Sequence, residues 1–316
     1  MPAFNILVIN KLAERHIAAI KSAAPDSTVL AAEPADAGRH IGDANIVATW
    51  GTADFRPLFT QAPELRWVHA LSAGVEKLLF PEMLNSSVKL TNSRGIHGIP
   101  MSEHVLSLIL AFTRGLHVLF KQQQQQIWQR TPLEEVYEKT IGIVGLGSIG
   151  REVAKRAKAL GMRVIAAKRE QTAELFVDEL YLPDQLTDLL KTADFIVVAL
   201  PLTAQTRHLF TTALFRQMKP SAYFINVSRG AVVNEADLTA ALREGTIKGA
   251  ALDVFEQEPL PQSSPLWTMP NVIITPHIAA ISPYYLDRAI KLFCQNLTSF
   301  AAGEDMVNLI DKQKGY

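Results

Sequence analysis

The chain has 316 residues, of which 48% are hydrophobic and 20% charged, and its 31 basic residues balance 31 acidic ones. A chain of this length predicts one large domain or, more often, two, and a formal charge of zero argues against a nucleic-acid-binding protein, which would carry a basic face. The single cysteine, Cys294, excludes a disulfide framework and a cysteine-based structural zinc site.

The amino-terminal third and the end of the chain predict one split domain. Strands are predicted at Ile6–Ile9, Ile46–Thr49, Trp67–Ala70 and Val88–Leu90, and helices near residues 12–23 and 75–84. An apolar helix is predicted from Met101 to about Phe120, and Gln122–Gln126 would continue or fray it. A last helix over Tyr284–Ala301 is too short to be a domain, so we expect it to fold back onto the first part. No secretory signal or membrane-spanning run is visible, so we expect a soluble, cytoplasmic protein with no membrane partner.

Between residues 141 and 276, short apolar runs alternate with helical patterns. The runs are Ile141–Val144, Arg163–Ala167, Phe195–Leu200, Tyr223–Val227, Gly249–Asp253 and Val272–Thr275. They are nearly continuously apolar rather than apolar at every second position, which is typical of strands that are buried on both faces. This alternation predicts a parallel, doubly wound sheet. Asn234 can cap one of the intervening helices and Gly245 can end it.

A G-x-G-x-x-G segment directly follows the first of these strands and opens a helix. In that context Gly145 permits a tight turn, Gly147 lets the backbone approach a pyrophosphate, and Gly150 lets the helix pack closely on the strand. The helix amino terminus adds N–H donors and positive potential. The motif predicts a dinucleotide site formed by Gly145, Leu146, Gly147, Ser148, Ile149 and Gly150.

The end of the next strand indicates which dinucleotide binds. An NAD site usually has an acidic residue there, about 20 residues beyond the glycines, which accepts hydrogen bonds from the ribose. This chain has Lys168 and Arg169 instead, and no acid before Glu170. Because a guanidinium can bind a 2′-phosphate through two charge-assisted hydrogen bonds, we predict NADP(H) in preference to NAD(H). A solvated basic pair is the alternative.

Each of the last three strands is followed by a loop with one unusual polar residue: Arg229, Glu258 or His277. Ligands of open α/β sheets bind outside the carboxyl ends of the strands, so we expect these loops to converge. Taken singly, each residue could be an ordinary surface or turn residue. Together they predict a catalytic set.

These motifs resemble, in order and over nearly the full chain, the D-isomer-specific 2-hydroxyacid dehydrogenase family. The resemblance rests on the glycine turn, Val-Ser-Arg-Gly, Asp-Val-Phe-x-x-Glu-Pro and Thr-Pro-His-Ile-Ala. The Lys-Arg pair, Trp50 and Pro-His-Ile-Ala-Ala-Ile-Ser are similar to the NADPH-using glyoxylate/hydroxypyruvate reductases. The resemblance implies a homodimer to which the long predicted helix contributes.

The resemblance also implies roles for individual residues. His277 would be the general acid, since a histidine can change its charge near neutral pH, and Glu258 would orient it. Arg229 would hold the carboxylate and carbonyl oxygens of a 2-oxo acid in a forked geometry. Backbone amides around Ala73 and Gly74 would bind the substrate carboxylate.

Further contacts are predicted on both ligands. The remaining cofactor contacts would be Leu200, Pro201, Val227, Ser228, Asp253 (facing the nicotinamide carboxamide) and Met101. Trp50 would form a wall of the substrate pocket or be plain core, and hinge packing is the alternative for Met101. No metal is predicted, because the other histidines that we considered lack metal-ligand spacing: His69, His104 and His208.

The predicted fold is α/β with two doubly wound parallel-sheet domains. A split flavodoxin-like substrate domain would take residues 1–99 and 285–316, and a Rossmann nucleotide-binding domain residues 100–284. The predicted function is NADPH-dependent reduction of a small 2-oxo acid, of the glyoxylate or hydroxypyruvate type, to the D-2-hydroxy acid. The alternatives are a broad-specificity D-2-hydroxyacid dehydrogenase for bulkier 2-oxo acids and a non-catalytic, nucleotide-sensing protein of the same fold.

Overall fold

The computed structural model describes residues 3–313 and divides into two compact units. Unit 1 is drawn from Met1–Ile96 and Ser282–Tyr316, and unit 2 is His97–Ile281. The outer limits of the predicted split domain, residues 1 and 316, lie outside the described residues. The predicted boundaries after residues 99 and 284, and the roles of the two domains, stay predictions.

Residues 3–313 form twelve strands and ten α-helices. The strands are β1 (Asn5–Ile9), β2 (Thr28–Ala32), β3 (Ile46–Thr49), β4 (Trp67–Ala70), β5 (Lys89–Asn92), β6 (Thr140–Val144), β7 (Arg163–Ala167), β8 (Glu179–Tyr181), β9 (Phe195–Val198), β10 (Tyr223–Asn226), β11 (Gly249–Leu252) and β12 (Val272–Ile274). The helices are α1 (Glu14–Ala23), α2 (Arg56–Phe59), α3 (Pro81–Leu84), α4 (Gly98–Thr113), α5 (Leu116–Gln124), α6 (Ser148–Ala159), α7 (Leu186–Thr192), α8 (Thr212–Phe215), α9 (Glu235–Arg243) and α10 (Tyr285–Ala302).

Unit 1 is built on a parallel five-stranded sheet in the order β2-β1-β3-β4-β5. This is the flavodoxin-like strand order. The carboxy-terminal helix α10 packs onto this unit: Phe293 stacks on Trp67 of β4 with ring centroids 5.0 Å apart, and Asp287 pairs with Arg15 and His16 of α1. The last helix therefore does fold back onto the amino-terminal part, as its shortness predicted.

Unit 2 is built on a parallel seven-stranded sheet in the order β12-β11-β10-β9-β6-β7-β8. Strands β6, β9, β10 and β11 are buried at every position, which explains why their sequences are almost continuously apolar. The order runs outward in both directions from β6, so the sheet has its switch point between β6 and β9. The predicted fold class, two doubly wound parallel sheets of the Rossmann and flavodoxin-like types, is confirmed.

Local details differ from the prediction in three places. The helix predicted over residues 101–120 is two helices, α4 and α5, which bend by 67° at Gly115, where φ is +63° and a glycine ends a helix at little cost. The helix predicted near residues 75–84 is a short 3₁₀ turn followed by α3. The edge strands β2 and β8 were not predicted; both are short and largely exposed or half-buried, so neither forms a buried apolar run.

Other local predictions are confirmed. The Asn234 side chain accepts a hydrogen bond of 3.1 Å from the Asp237 N–H and so caps α9, and Gly245 follows that helix with φ +70°. No single helix in residues 3–313 has both the length and the apolar character to cross a membrane, although α4 and α5 pass that test when they are joined.

Candidate active site

The glycine turn joins the carboxyl end of β6 to the start of α6, and two of its glycines are required by geometry. Gly145 has φ +104°, and a Cβ there would lie 2.6 Å from the Ala199 carbonyl oxygen. A Cβ on Gly150 would collide with the Gly145 carbonyl, so this glycine lets α6 begin directly against the turn. Gly147, which precedes α6, faces open space.

This turn fits a dinucleotide phosphate. The first N–H groups of a helix have no partner within the helix and carry its positive potential, and the open space at Gly147 lets an anion approach them. Leu146 is buried and Ile149 packs against the same hydrophobic core, so both would serve the site through their backbone. The Ser148 side chain is exposed at the start of α6.

Lys168, which directly follows β7, takes part in an ion-pair cluster. Its Nζ lies 2.6 Å from Oε1 of Glu174 and 2.7 Å from the Thr172 hydroxyl. Arg151 of α6 donates to both oxygens of the same carboxylate, at 2.6 and 2.8 Å. Hydrogen bonds from Arg151 and then from Lys168 lower the pKa of Glu174 to about 2, against the opposing effect of burial. Arg169 is exposed and makes no hydrogen bond or ion pair within residues 3–313.

Glu174 was missed in the sequence. The first acidic residue after Lys168 in the sequence is Glu170. In the structure, the carboxylate that lies beside Lys168 at the end of β7 belongs to Glu174, six residues further along the chain. No motif marks this acid, because its position depends on the path of the loop between β7 and β8.

The His277 and Glu258 side chains are in direct contact. Nδ1 of His277 lies 2.7 Å from Oε2 of Glu258, while Oε1 of Glu258 accepts a hydrogen bond from the Phe255 N–H at 3.1 Å. Because a carboxylate only accepts, Nδ1 carries the proton of this bond, and Nε2 is left for a ligand. His277 has φ +53°, a left-handed conformation that is uncommon for residues other than glycine and that recurs at functional sites.

The Asp253 carboxylate, which is 1% exposed, anchors the loop that carries His277. Oδ1 accepts hydrogen bonds from the Thr275 hydroxyl at 2.6 Å and the Ile278 N–H at 2.9 Å, and Oδ2 accepts one from the Ala279 N–H at 2.9 Å. The His277 N–H also donates to the Asp253 carbonyl at 2.8 Å. These bonds on both sides of His277 hold its backbone in place.

His104 of α4 supports the same anchor. Its Nε2 lies 3.0 Å from the Thr275 hydroxyl and 3.6 Å from Oδ1 of Asp253. Burial lowers the pKa of His104, and the Asp253 charge opposes that shift. The sequence around His104 contains no motif that would predict its contact with Thr275 and Asp253. The predicted contact between Asp253 and the nicotinamide stays a prediction.

Arg229 lies on the loop after β10, and that loop packs against the Glu258 loop. A Cβ on Gly230 would collide with the backbone of Phe255 and Glu256, so only glycine permits this approach. The Arg229 side chain is exposed and donates to the Ser228 carbonyl at 2.8 Å. Among the described residues it has no hydrogen bond to Glu258 or His277, so the structure brings these loops together but joins only the histidine and the glutamate directly. Burial, and then the Arg229 charge, lowers the pKa of His97.

Of the other predicted cofactor residues, Leu200 and Pro201 follow β9, Val227 and Ser228 follow β10, and Met101 lies in α4. The Pro201 carbonyl accepts a hydrogen bond of 2.7 Å from Thr206, and Leu200 is partly buried against the core. Met101 and Val227 are buried in one hydrophobic cluster. Ser228 is also buried, and its N–H and hydroxyl both donate to the Asn226 side chain, at 3.0 and 2.8 Å. Their contacts with a cofactor stay predictions.

In unit 1, the predicted carboxylate-binding residues lie on a turn that is fixed by side chains. The Ser72 hydroxyl accepts from the Gly51 N–H at 2.9 Å and donates to the Gly74 carbonyl at 2.8 Å. Asn92 donates to the Ala73 carbonyl at 2.6 Å. Within residues 3–313 the N–H groups of Ala73, Gly74 and Val75 donate to no other group, so this turn presents a row of donors.

Trp50 is partly buried in unit 1. Its Nε1 donates to Oδ1 of Asn10 at 3.1 Å, and its ring lies 5.6 Å from that of Tyr285. These contacts orient the indole.

In the described part of the chain, no group of three or more histidine, cysteine or acidic side chains is arranged to hold a metal ion.

Comparisons with known proteins show which family this chain belongs to. Residues 106–279 match the family model described as D-isomer specific 2-hydroxyacid dehydrogenase, NAD binding domain. A crystal structure of a member of that family from Aeromonas salmonicida is 38% identical, covers 98% of this chain and 99% of its own, and superposes with a TM-score of 0.87.

Two more similar proteins carry functional names. The NADPH-dependent glyoxylate/hydroxypyruvate reductase of Sinorhizobium meliloti, solved with NADP and sulfate, is 32% identical, covers 99% of this chain and 100% of its own, and has a TM-score of 0.80. Glyoxylate/hydroxypyruvate reductase A of Salmonella heidelberg is 36% identical over 80% of this chain and 82% of its own. The chain therefore belongs to the D-isomer specific 2-hydroxyacid dehydrogenase family and is an oxidoreductase with a nicotinamide dinucleotide cofactor.

Proposed function

We propose that this protein uses NADPH to reduce a small 2-oxo acid, of the glyoxylate or hydroxypyruvate type, to the D-2-hydroxy acid. The observation that carries the proposal is the 2.7 Å contact between His277 and Glu258, on the sheet edge that also carries the glycine turn. A histidine with a carboxylate bound to one nitrogen and its other nitrogen available is suited to donate a proton. The names of similar proteins support the substrate class.

The reaction needs a hydride at the carbonyl carbon and a proton at the carbonyl oxygen. NADPH, when bound at the glycine turn, supplies the hydride. As the carbonyl π bond breaks, Nε2 of His277 gives its proton to the oxygen, and Glu258 stabilises the imidazolium that precedes this transfer. The balance is one 2-oxo acid, one NADPH and one proton converted to one 2-hydroxy acid and NADP⁺. The His277 side chain is half-exposed, so solvent can return the proton.

The substrate carboxylate needs a fixed position, which a guanidinium and backbone N–H groups can provide. We assign Arg229 to bind it together with the carbonyl oxygen, since the planar fork matches both acceptors. We also assign a carboxylate-binding role to the N–H groups of Ala73 and Gly74, which donate to nothing else in residues 3–313. Trp50, whose indole is held by Asn10, would limit the size of the substrate.

We assign the preference for NADPH to Lys168 and Arg169. Arg169 is exposed and has no ion-pair partner in residues 3–313, so its guanidinium is available for a 2′-phosphate. The NADPH dependence named for the Sinorhizobium relative supports this assignment.

The experiment is a kinetic profile of NADPH oxidation over 2-oxo acids of increasing size: glyoxylate, pyruvate, hydroxypyruvate, a branched 2-oxo acid and phenylpyruvate. We expect kcat/KM to be highest for glyoxylate and hydroxypyruvate. A maximum on the branched or aromatic acids would favour the broad-specificity dehydrogenase instead. No turnover on any of them would favour a nucleotide-sensing protein.

We further propose a homodimer that covers an exposed apolar segment on and after α5. The Trp128 side chain is fully exposed, and other large hydrophobic side chains near it are partly exposed: Phe120, Ile127, Leu133 and Tyr137. Such an exposed group marks an interaction surface. Sedimentation should show a dimer that Trp128→Ser weakens, whereas Trp267→Ser, a control at another exposed tryptophan, should not. A monomeric wild-type protein would refute this assignment.

A further inference from the structure

The carboxyl end of β7 has an acidic group that the local sequence does not supply. In a dinucleotide-binding sheet, an acid at this strand end accepts hydrogen bonds from the adenosine ribose. Lys168 is the first residue after β7, and the Glu174 carboxylate lies 2.6 Å from its Nζ. The fold therefore places a carboxylate where positions 168 and 169 carry only cations.

This carboxylate is held from two sides. Arg151 binds both of its oxygens, and Lys168 binds one of them, so the Glu174 side chain is only 8% exposed. Lys168 is further fixed by the Thr172 hydroxyl. Two cations thus share one anion, and neither offers its full charge to an incoming phosphate.

Electrostatics predicts opposite effects of this anion on the two dinucleotides. A 2′-phosphate that approaches Lys168 and Arg169 has the same sign of charge as Glu174 and competes with it for Lys168 and Arg151. The ribose of NAD(H) carries no charge at that position, and its hydroxyls can donate to a carboxylate.

We propose that Glu174 is a specificity-determining residue, whose carboxylate weakens binding of the 2′-phosphate of NADP(H) and keeps NAD(H) usable as a second cofactor. This inference rests on the proposed NADPH-dependent function and refines it. Glu174 opposes the selectivity that Lys168 and Arg169 create, so the natural enzyme has a smaller preference for NADPH than its cations alone would give.

Glu174→Gln is the decisive variant. Glutamine has nearly the same shape and keeps an oxygen that accepts from Lys168 or Arg151, but it removes the negative charge. We expect the ratio of the NADH Kd to the NADPH Kd to rise about 3- to 10-fold, the size expected for two charge pairs that solvent partly screens. Most of the change should be tighter NADPH binding.

Glu179→Gln is the matched control, because it makes the same chemical and charge change on the neighbouring strand β8, away from the carboxyl end of β7. Glu179 pairs at 2.6 Å with Arg163, the first residue of β7, whereas Lys168 follows its last. The parallel register sets Glu179 beside Ile165, three strand residues before Lys168, which at about 3.3 Å each is roughly 10 Å, beyond the screening length of about 8 Å at physiological salt. The Kd ratio of this variant should equal that of the wild type.

The measurement is a calorimetric or fluorescence titration of NADPH and NADH into the whole wild-type protein and both variants, with melting curves to check folding. An unchanged ratio in a folded Glu174→Gln protein would overturn the proposal, and so would weaker NADPH binding, which would make Glu174 a support for Lys168. If that variant does not fold, Glu174→Ala is titrated against the same criteria. Because binding is read without turnover, failure of the 2-oxo acid assay leaves this result interpretable.

Discussion

The carboxyl edge of the large sheet is held together in two different ways. After β11 and β12, short buried groups bind the backbone: the Asp253 carboxylate accepts from Thr275 and from the N–H groups on the far side of His277. After β7, long charged side chains bind one another, with Lys168 and Arg151 sharing the Glu174 carboxylate. The first arrangement fixes the left-handed backbone of His277 itself, whereas the second joins side chains to one another.

The two arrangements suit two different tasks: the buried one positions the proposed proton donor, and the charged one sets the proposed cofactor preference. A buried carboxylate that loses a hydrogen bond leaves donors unsatisfied, at about 1–3 kcal/mol each, so the His277 loop has one strongly preferred position. Exposed or partly exposed ion pairs are typically worth about 0.2–1 kcal/mol and weaken with salt. The proton donor is therefore fixed, while the end of β7 can change its preference with a single charge.

The largest effect is expected from a change at His277, on the loop that buried hydrogen bonds hold in place. His277→Ala should lower kcat/KM for 2-oxo acid reduction by about 10²–10⁴-fold, the usual contribution of general acid catalysis, with NADPH binding largely kept. His277→Asn should behave alike while tolerating the left-handed backbone better. His208→Ala is a matched control, because His208 also has a positive φ of 49° and pairs with a glutamate at 3.1 Å. A His277 variant with full activity would end the assignment.

The anchor beneath His277 comes next. Asp253→Asn places an amide NH₂ against N–H groups that now have carboxylate acceptors, so we expect a loss of about 1–3 kcal/mol in folding free energy and a kcat lower by about tenfold or more. Steady-state kinetics and thermal melting measure the two effects. Asp194→Asn is the control: its carboxylate also accepts a backbone N–H, from Thr140 at 2.9 Å, but precedes β9. Equal losses of kcat in both variants would show a general folding effect instead of a positioning role.

The same contrast explains how far sequence could predict this protein. Fully buried strands such as β6 and β10 are almost continuously apolar, so their positions and the loops that follow them were predicted closely. The roles of Arg229, Glu258 and His277 stay predictions, although the structure joins Glu258 and His277 directly. The bend at Gly115 was missed because the apolar pattern continues across it, although a positive-φ glycine ends α4. Edge strand β8 has three partly exposed residues and no apolar pattern.

In the candidate site, too, one contact could be predicted from the sequence and another could not. The contact between Glu258 and His277 could be anticipated, since parallel strands place their following loops on one edge. Glu174 could not, because its approach to Lys168 depends on the three-dimensional path of an eleven-residue connection, 168–178, that has no motif. Long charged side chains can reach many partners, so spacing along the chain does not identify which pair will form.

At the charged end of β7, Arg169→Asp should reverse the cofactor preference. A carboxylate there would repel the 2′-phosphate and could accept from the ribose, so we expect the ratio of kcat/KM for NADPH to that for NADH to fall by at least about tenfold. The kcat with saturating NADH should stay close to that of the wild type. Arg207→Asp, on the loop that follows β9, serves as a charge-matched comparison. An unchanged ratio in Arg169→Asp would mean that the Lys-Arg pair is only solvated.

The smallest effect should come from salt alone. Raising the ionic strength from about 0.1 M to 1 M shortens the screening length from about 10 Å to 3 Å, which weakens the attraction of Lys168 and Arg169 for a 2′-phosphate. The preference for NADPH over NADH in kcat/KM should therefore fall by about two- to fivefold, while kcat at saturating cofactor changes less than about twofold, since buried hydrogen bonds position His277. Because Glu174 is screened at the same time, Glu174→Gln should show a steeper fall than the wild type. A large loss of kcat with an unchanged cofactor ratio would mean that the catalytic loop, and not the end of β7, is the part held by charge.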